Sequence, residues 1–372
     1  MPGPAASAAA SLPACAVAGR DALPPRSGVL SGVNLDWESQ TLADYAASSG
    51  SSPSVAGIFA PFPLGAQDRA AVESAAGQVR ASGGVLLLTL EPEAGLAKVG
   101  QENSDALAGL LEGFNRSGVP VIVRFAHEMN GSWHAWGQQP SAFRAAFRQV
   151  AESIHRLAPG SATMWAPNYG GGYPFARGPH QAAPGSPDFA TLDTDRDGDL
   201  TGEDDPYAPY YPGDDAVDWV GLSIYHWGNT YPWGANVVPE DGKFVDQLTG
   251  RYNGKGGDDA AVPDFYAEYG ARRQKPVAIA ETAALLVSGA GGADELAIKR
   301  AWWRQVFDPA LHQDYPLIKM VNWFEWDKFE DEVGGAVDWR VAASPRIADA
   351  FAADLPSWYR SATPPGACAP ED

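Results

Sequence analysis

The chain has 372 residues, of which 45% are hydrophobic and 19% are charged, a composition typical of folded globular proteins. It carries 46 acidic and 26 basic residues, so its formal net charge is −20. This charge argues against nucleic acid and acidic polymers as partners, because both repel an acidic surface. No apolar run approaches the roughly 18 residues of a membrane span, so we expect no membrane contact. A neutral polysaccharide is compatible with the charge.

Eight short apolar runs recur along the chain, and such runs predict buried parallel strands. They occupy residues 28–36, 54–60, 84–90, 120–127, 162–167, 217–225, 276–281 and 318–325. Between most of them, apolar residues recur at steps of three and four, which predicts amphipathic helices, for example over 107–114 and 143–157. The alternation predicts an α/β protein with a (β/α)8 TIM barrel. A doubly wound sheet is disfavoured, because no GxGxxG turn follows the first strand.

Two connections are too long to be plain barrel loops, namely 168–216 after strand 5 and 226–257 after strand 6. Loops that follow strands lie at the catalytic face of a barrel, so we predict that both border the site. We predict a single catalytic barrel over residues 28–360. A partly ordered extension at 1–27 precedes it, and a tail at 361–372 follows.

The two cysteines, Cys15 and Cys368, lie near opposite ends of the chain. Chain ends of compact domains are often close together, so we predict a disulfide between these two residues. A disulfide implies an oxidising compartment, and we therefore expect a secreted, extracellular protein. The first residues lack a basic segment, and cleavage after Ala18 would remove Cys15, so we expect that the signal peptide is already absent. We also expect a monomer.

Two glutamates stand where predicted strands end. Glu128 follows the apolar run of strand 4, and Glu281 closes that of strand 7 on a position that period-two alternation makes inward. Glycoside hydrolysis requires such a pair, and a separation of about 5–5.5 Å gives retention of configuration. Arg124 shares a face with Glu128 if no bulge intervenes. We expect Arg124 and the hydroxyl of Tyr225 to keep Glu281 charged, while Glu128 stays protonated longer.

The segment 124–133 reads Arg-Phe-Ala-His-Glu-Met-Asn-Gly-Ser-Trp and resembles the acid/base signature of glycoside hydrolase family 26. Endo-β-mannanases, some β-1,3-xylanases and mixed-linkage β-glucanases make up that family. Similarity continues through strands 6 and 7 to Asp-Trp-Arg at 338–340, so it covers roughly residues 30–345.

The resemblance implies a retaining mechanism in which Glu128 is the general acid/base and Glu281 is the nucleophile. It further implies that Tyr225 hydrogen-bonds the nucleophile and that His127 contacts the sugar at the point of cleavage. By family frequency we expect a β-1,4-mannan as substrate. Mixed-linkage β-glucan and β-1,3-xylan remain open.

The chain departs from the family pattern at two places. Leu-Glu-Pro at 90–92 stands where Trp-Glu-Pro is frequent, and the stretch at 133–137 reads Trp-His-Ala-Trp-Gly. Both changes alter expected sugar platforms. Tryptophans at or just beyond predicted strand ends are expected to stack on sugar faces. They are Trp133, Trp136, Trp227 and Trp323.

The segment 193–204 matches the twelve-residue calcium loop, with acids at positions 1, 3, 5 and 12 and Gly at position 6. The predicted ligands are Asp193, Asp195, Asp197, Asp199 through its carbonyl, and Asp204. An Asp at position 12 is shorter than the usual Glu, which should weaken binding. We predict a structural calcium ion that pins the long insertion to the barrel. We expect no catalytic cofactor, because the HExxH signature is absent from the sequence.

Two alternatives come from other functional classes. A non-catalytic carbohydrate-binding barrel would keep the tryptophans, but the presence of both glutamates with Arg124 and Tyr225 argues against it. A metal-dependent hydrolase would use the acidic loop, whose oxygen-only spacing instead suits a closed calcium cage.

Overall fold

The structure is a computed structural model that describes residue 17 and residues 19–252 and 262–360. Its main sheet contains eight parallel strands. They are β1 (Leu30–Leu35), β2 (Val55–Pro61), β3 (Val85–Glu91), β4 (Val121–Phe125), β5 (Ser161–Trp165), β6 (Trp219–Ser223), β7 (Val277–Thr282) and β8 (Ile318–Glu325). Each strand pairs with the next, and β8 pairs with β1, so the sheet is a closed barrel. The predicted (β/α)8 TIM barrel is confirmed.

Helices connect the strands and pack on the outside of the barrel. The α-helices are α1 (Leu42–Ser49), α2 (Ala66–Ser82), α3 (Gln101–Arg116), α4 (Pro140–Leu157), α5 (Pro187–Leu192), α6 (Lys243–Leu248), α7 (Glu295–Val306), α8 (Leu311–Asp314), α9 (Pro345–Asp354) and α10 (Ser357–Arg360). Short 3-10 helices occur at Arg20–Ala22, Leu96–Lys98 and Ala208–Tyr210, and a π-helix occurs at Tyr266–Ala271. The amphipathic patterns predicted over 107–114 and 143–157 fall within α3 and α4.

The core has two layers, because successive side chains of a strand point to opposite faces of the sheet. One set fills the inside of the barrel, and its strand members are Leu30, Val55, Val85, Leu87, Ile122, Ala162, Met164, Trp219, Ala278, Ala280 and Met320. The other set, such as Val123 and Ile279, packs against apolar helix residues such as Phe147. Each fully buried aliphatic side chain contributes roughly 1.5–3 kcal/mol to stability.

A hairpin that the sequence did not predict extends the site beyond β8. It consists of β9 (Asp327–Glu330) and β10 (Gly335–Asp338), which pair antiparallel. Four-residue strands are too short to show a clear alternation. The hairpin is joined to the loop after β7 by a bridge between Val337 and Val287.

The predicted disulfide between Cys15 and Cys368 lies outside the described residues, as do the tail at 361–372 and most of the extension at 1–27. Leu23 in the described part of the extension is buried and joins the cluster inside the barrel. Among the described residues, the structure contains no helix that is long and apolar enough to cross a membrane.

Candidate active site

The turn after β4 carries Glu128. The strand ends at Phe125, and both Ala126 (φ 49°) and Glu128 (φ 52°) are in the left-handed region. The Ala126 amide donates to the Leu90 carbonyl at 2.8 Å, and the Glu128 amide donates to the Ala166 carbonyl at 2.9 Å. Such conformations cost about 1–3 kcal/mol each and persist only where the surroundings impose them. The expected period-two alternation therefore ends before Glu128, and the turn sets its direction.

Side chains of the same motif hold this turn in place. Asn130 donates from Nδ2 to the carbonyl of Asn168 at 2.8 Å, and the Asn168 amide donates back to Asn130 Oδ1 at 2.9 Å. Trp136 donates from Nε1 to the carbonyl of His127 at 2.7 Å. The Asn130 bonds tie the segment to the loop after β5, which explains why Asn accompanies the glutamate in the sequence, and the Trp136 bond holds the turn from within the segment.

Glu281 is 5% exposed and has a separate donor on each carboxylate oxygen. The buried guanidinium of Arg124 forms an ion pair with Oε1. The hydroxyl of Tyr225 donates to Oε2 at 2.5 Å. Arg124 also donates from Nη2 to the hydroxyl oxygen of Ser223 at 2.8 Å. Arg124 and Tyr225 therefore both contact Glu281, as the sequence predicted.

A register shift brings Glu281 to this position. Ala278 and Ala280 of β7 point into the barrel, so strict alternation would turn Glu281 towards the helices. The pairing of β6 with β7 shifts between Leu222 and Ser223, and Ser223 comes opposite Glu281. Glu281 thus faces the cavity as expected, but an irregular pairing rather than regular alternation orients it.

The environment of Glu128 favours its protonated form. Burial raises the pKa of Glu128 from 4.5 to about 7, and the negative charge of Glu281 adds to this effect. The positive charge of Arg124 and a hydrogen bond from Ser223 lower the pKa but do not cancel the increase. Glu128 therefore keeps its proton at a pH where an ordinary glutamate has lost it, as the sequence predicted.

Both glutamates line a cavity of about 1010 Å³ beyond the carboxyl ends of the strands. Residues of the two long connections form part of its wall, as predicted. Trp133 and Trp227 are half-buried in this wall. Only glycine fits at Gly131, because a Cβ there would lie 2.3 Å from the ring of Trp133.

Trp136 and Trp323 do not line the cavity, and the expectation that they stack on sugars is corrected. Trp136 is only 2% exposed. Trp323 is fully buried, donates from Nε1 to the carbonyl of Trp339 at 2.9 Å, and contacts Phe351 of α9. Side chains alternate along β8, so Phe324 reaches the cavity while Trp323 faces the helices.

His127 and His134 lie side by side in the cavity wall, with ring centroids 4.9 Å apart. The ring of His134 stacks on that of Trp136, with centroids 4.2 Å apart and an interplanar angle of 11°. Burial and the charge of Arg124 lower the pKa of both histidines, to about 3 for His134. Both rings are therefore neutral, which suits hydrogen bonds to sugar hydroxyl groups.

The sequence did not single out three cavity groups, namely Glu91, Ser223 and Trp326. Burial and neighbouring carboxylates raise the pKa of Glu91 from 4.5 to about 7. Trp326 stacks on Phe324, with centroids 5.7 Å apart and an interplanar angle of 8°, and occupies the place expected of Trp323. All three stand at or directly after strand ends, which is the signal that identified the two glutamates.

The acidic loop after α5 brings three of its predicted calcium ligands together. Asp193, Asp195 and Asp197 place carboxylate oxygens within 4.8 Å of one another. Asp193 also accepts hydrogen bonds from the amides of Asp197 and Gly198, at 3.1 Å each. This oxygen-only cluster fits the chemistry of calcium.

Asp204 and Asp199 are not part of that carboxylate cluster. Asp204 is buried and accepts hydrogen bonds from the amides of Thr194 at 2.6 Å and Thr201 at 2.9 Å. Its carboxylate thus closes the loop through the backbone. Asp199 is exposed, and its amide donates to Asp197 at 2.8 Å.

Comparison with known proteins identifies similar sequences and folds. Residues 89–166 match the family model described as glycosyl hydrolase family 26. Endoglucanase H of Acetivibrio thermocellus is 23% identical over 279 residues, which cover 73% of this chain and 24% of that protein. The chain thus spans about a quarter of the length of this relative.

Two solved structures of similar fold are described as mannanases. A GH26 β-mannanase from Bacteroides ovatus has a TM-score of 0.55 at 16% identity, covering 92% of this chain and 94% of that one. An endo-β-1,4-mannanase double mutant from Cellulomonas fimi has a TM-score of 0.55 at 18% identity, covering 94% of this chain and 80% of that one. At these identities the two structures show a shared fold.

The segment that matches the family model, 89–166, runs from the end of β3 through β4 and α4 to the residue after β5. It contains Arg124, His127 and Glu128, the residues that the motif analysis singled out. This segment of the chain is therefore similar to glycosyl hydrolase family 26.

Proposed function

We propose that this protein is a retaining endo-glycoside hydrolase that cleaves a neutral β-linked polysaccharide, with β-1,4-mannan as its first candidate. The unequal environment of the two glutamates carries this proposal. Glu281 accepts hydrogen bonds from Arg124 and Tyr225, whereas desolvation in the cavity wall and the charge of Glu281 raise the pKa of Glu128 to about 7. A nucleophile must be ionised while its partner acid is protonated. The raised pKa of Glu128 suits it to the role of the acid, and the donors Arg124 and Tyr225 orient the carboxylate of Glu281 for attack.

The reaction proceeds in two displacements. Glu281 attacks the anomeric carbon, and the bond to the leaving oxygen breaks as Glu128 transfers its proton to that oxygen. The product is a glycosyl ester of Glu281. Glu128, now ionised, removes a proton from water, and the water oxygen displaces Glu281 from the same carbon. Two inversions give net retention, and the contacts of Arg124 and Tyr225 keep the attacking carboxylate oriented.

The cavity wall supports a sugar as the ligand. Trp133, Trp227 and Trp326 offer flat aromatic faces, and the neutral ring of His127 offers a polar contact beside the acid. The structural relatives named above are mannanases, which favours mannan. The name of Endoglucanase H keeps a glucan among the alternatives, together with β-1,3-xylan.

Substrate class is tested by release of reducing sugars from galactomannan, mixed-linkage β-glucan and β-1,3-xylan. We expect the wild type to cleave one of these polymers and Glu281→Ala to lose that activity while it remains folded. If the folded wild type released no reducing sugar from any of the three polymers, the proposal would be rejected.

The roles of the two glutamates are tested by azide rescue with an activated aryl glycoside. In Glu281→Ala, azide should take the place of the nucleophile and yield a glycosyl azide of inverted configuration. In Glu128→Ala, azide should attack the glycosyl-enzyme and yield the retained configuration. The opposite pair of products would exchange the two roles.

We also propose a structural calcium ion in the loop at 193–204. The converging carboxylates of Asp193, Asp195 and Asp197 would hold the ion. The bound ion would then stabilise the fold of the long connection at 168–216. Because calcium binds the folded loop, it should stabilise the protein by about 2.7 kcal/mol at 100 times its Kd. Calcium should raise the melting temperature of the wild type but not of Asp195→Asn. An equal response of both proteins would reject the site.

A further inference from the structure

We propose that the cavity also binds a transition-metal dication such as Zn²⁺ through His127, His134 and Glu128, and that this metal inhibits the enzyme. Each of the three side chains offers one ligand atom, and these atoms lie within 4.8 Å of one another. Two imidazole nitrogens and one carboxylate oxygen form a ligand set that proteins use for zinc, with a fourth position open to water.

The two histidines form a preorganised half of this site. One indole holds both, because Trp136 stacks under the ring of His134 and donates to the carbonyl of His127 at 2.7 Å. The Nδ1 atom of His127, a residue 5% exposed, has no hydrogen-bond partner among the described residues. A buried polar atom without a partner is costly, and a metal bound by this nitrogen would satisfy it.

The charges around the site favour a dication. Six carboxyl groups and three cations line the cavity. The carboxyl groups belong to Glu91, Glu128, Glu281, Glu330, Asp331 and Glu332, and the cations are Arg177, Lys243 and Lys328. Arg124, which lies beneath the cavity wall, is paired with Glu281. An incoming metal therefore meets an excess of carboxyl groups whose attraction offsets part of its desolvation.

Closure of the site requires only small side-chain movements. Ligand atoms at about 2.0–2.1 Å from a tetrahedral zinc lie roughly 3.3 Å apart, compared with at most 4.8 Å here. Rotation of the Glu128 side chain towards the two imidazole rings would close this gap. The metal would then bind the carboxylate of Glu128, which must carry a proton to act as the general acid. Inhibition therefore rests on the proposed role of Glu128, whereas metal binding does not.

Inhibition is measured as the rate of polysaccharide hydrolysis at increasing concentrations of Zn²⁺. Millimolar calcium is present so that the acidic loop at 193–204 is already occupied. His134→Phe keeps the ring stack on Trp136 but loses the nitrogen. The Zn²⁺ concentration that halves its own zinc-free rate should rise on the order of 10–100-fold or more, because even the loss of an outer-shell partner of a metal ligand weakens metal binding by that factor. His312→Phe, at a ring stacked on Trp358, should keep the wild-type midpoint. Equal midpoints for His134→Phe and wild type would overturn the proposal.

Direct binding is measured by titrating the full chain with Co²⁺ and recording the visible absorption of tetrahedral cobalt. The wild type and His312→Phe should bind one ion with these bands, and His134→Phe and Glu128→Gln should bind more weakly. Bands without hydrolysis of any polymer would support the metal site and reject the proposed function. Hydrolysis without bands and without zinc inhibition would reject the metal site alone.

Discussion

Removal of the Glu128 proton should switch the enzyme off as the pH rises through neutrality. Burial and the charge of Glu281 raise the pKa of Glu128 from 4.5 to about 7. Only the protonated carboxyl can protonate the leaving oxygen, so kcat/KM should fall about tenfold per pH unit above that value. A glutamate with the ordinary pKa would place the same decline about two and a half pH units lower.

The assay is the pH dependence of kcat/KM on the polysaccharide that the enzyme cleaves, compared with an activated aryl glycoside. Glu128→Gln cannot donate the proton, so it should lose roughly 10²–10⁴-fold on the polysaccharide but far less on the aryl substrate. Its alkaline decline on the aryl substrate should disappear. A decline that persists in Glu128→Gln would refute the reasoning and point to Glu91, whose pKa is also raised to about 7.

Three further variants test the site and the core. Tyr225→Phe removes the 2.5 Å hydrogen bond to Glu281. It should lower kcat/KM about 10–100-fold at an unchanged melting temperature, because charge-assisted hydrogen bonds contribute about 1.5–3 kcal/mol. Unaltered kinetics would contradict this expectation. Burial raises the pKa of Glu325 from 4.5 to about 7, so the folded state binds the proton more tightly and the free energy of unfolding should decrease from about pH 4.5 to 7. Denaturant titrations at several pH values should show a shallower decrease in Glu325→Gln, and an identical slope would count against this. Trp323→Phe leaves the carbonyl of Trp339 without its donor and should lower stability by about 1–3 kcal/mol while kcat is retained; a loss of kcat in a folded variant would restore Trp323 to the site.

The barrel could be predicted because its signal is repeated eight times. Each strand gives an apolar run, and each error at a boundary is only one or two residues. The placement of the two glutamates at strand ends was also predictable, since Glu128 follows such a run and Glu281 ends one. The hairpin β9–β10 could not be predicted, because two four-residue strands carry too little pattern.

The wall of the cavity was predicted less well, for a reason that lies in the barrel itself. A strand of a closed barrel is covered on both faces, so its residues are apolar at nearly every position. The sequence of β8 therefore does not show which side faces the cavity. For this reason Trp323 was expected there, although Phe324 and the following Trp326 are the residues that line it.

Irregular backbone, which leaves no periodic trace in the sequence, places both carboxyl groups. A regular β7 would turn Glu281 towards the helices, and a regular β4 could not have left-handed residues at Ala126 and Glu128. The two left-handed residues cost about 1–3 kcal/mol each, which the hydrogen bonds to Leu90 and Ala166 must offset. Local rules thus fail at the positions where chemistry requires a direction that a regular strand cannot supply. The same strained turn places Glu128 in the cavity wall, where desolvation and the charge of Glu281 raise its pKa.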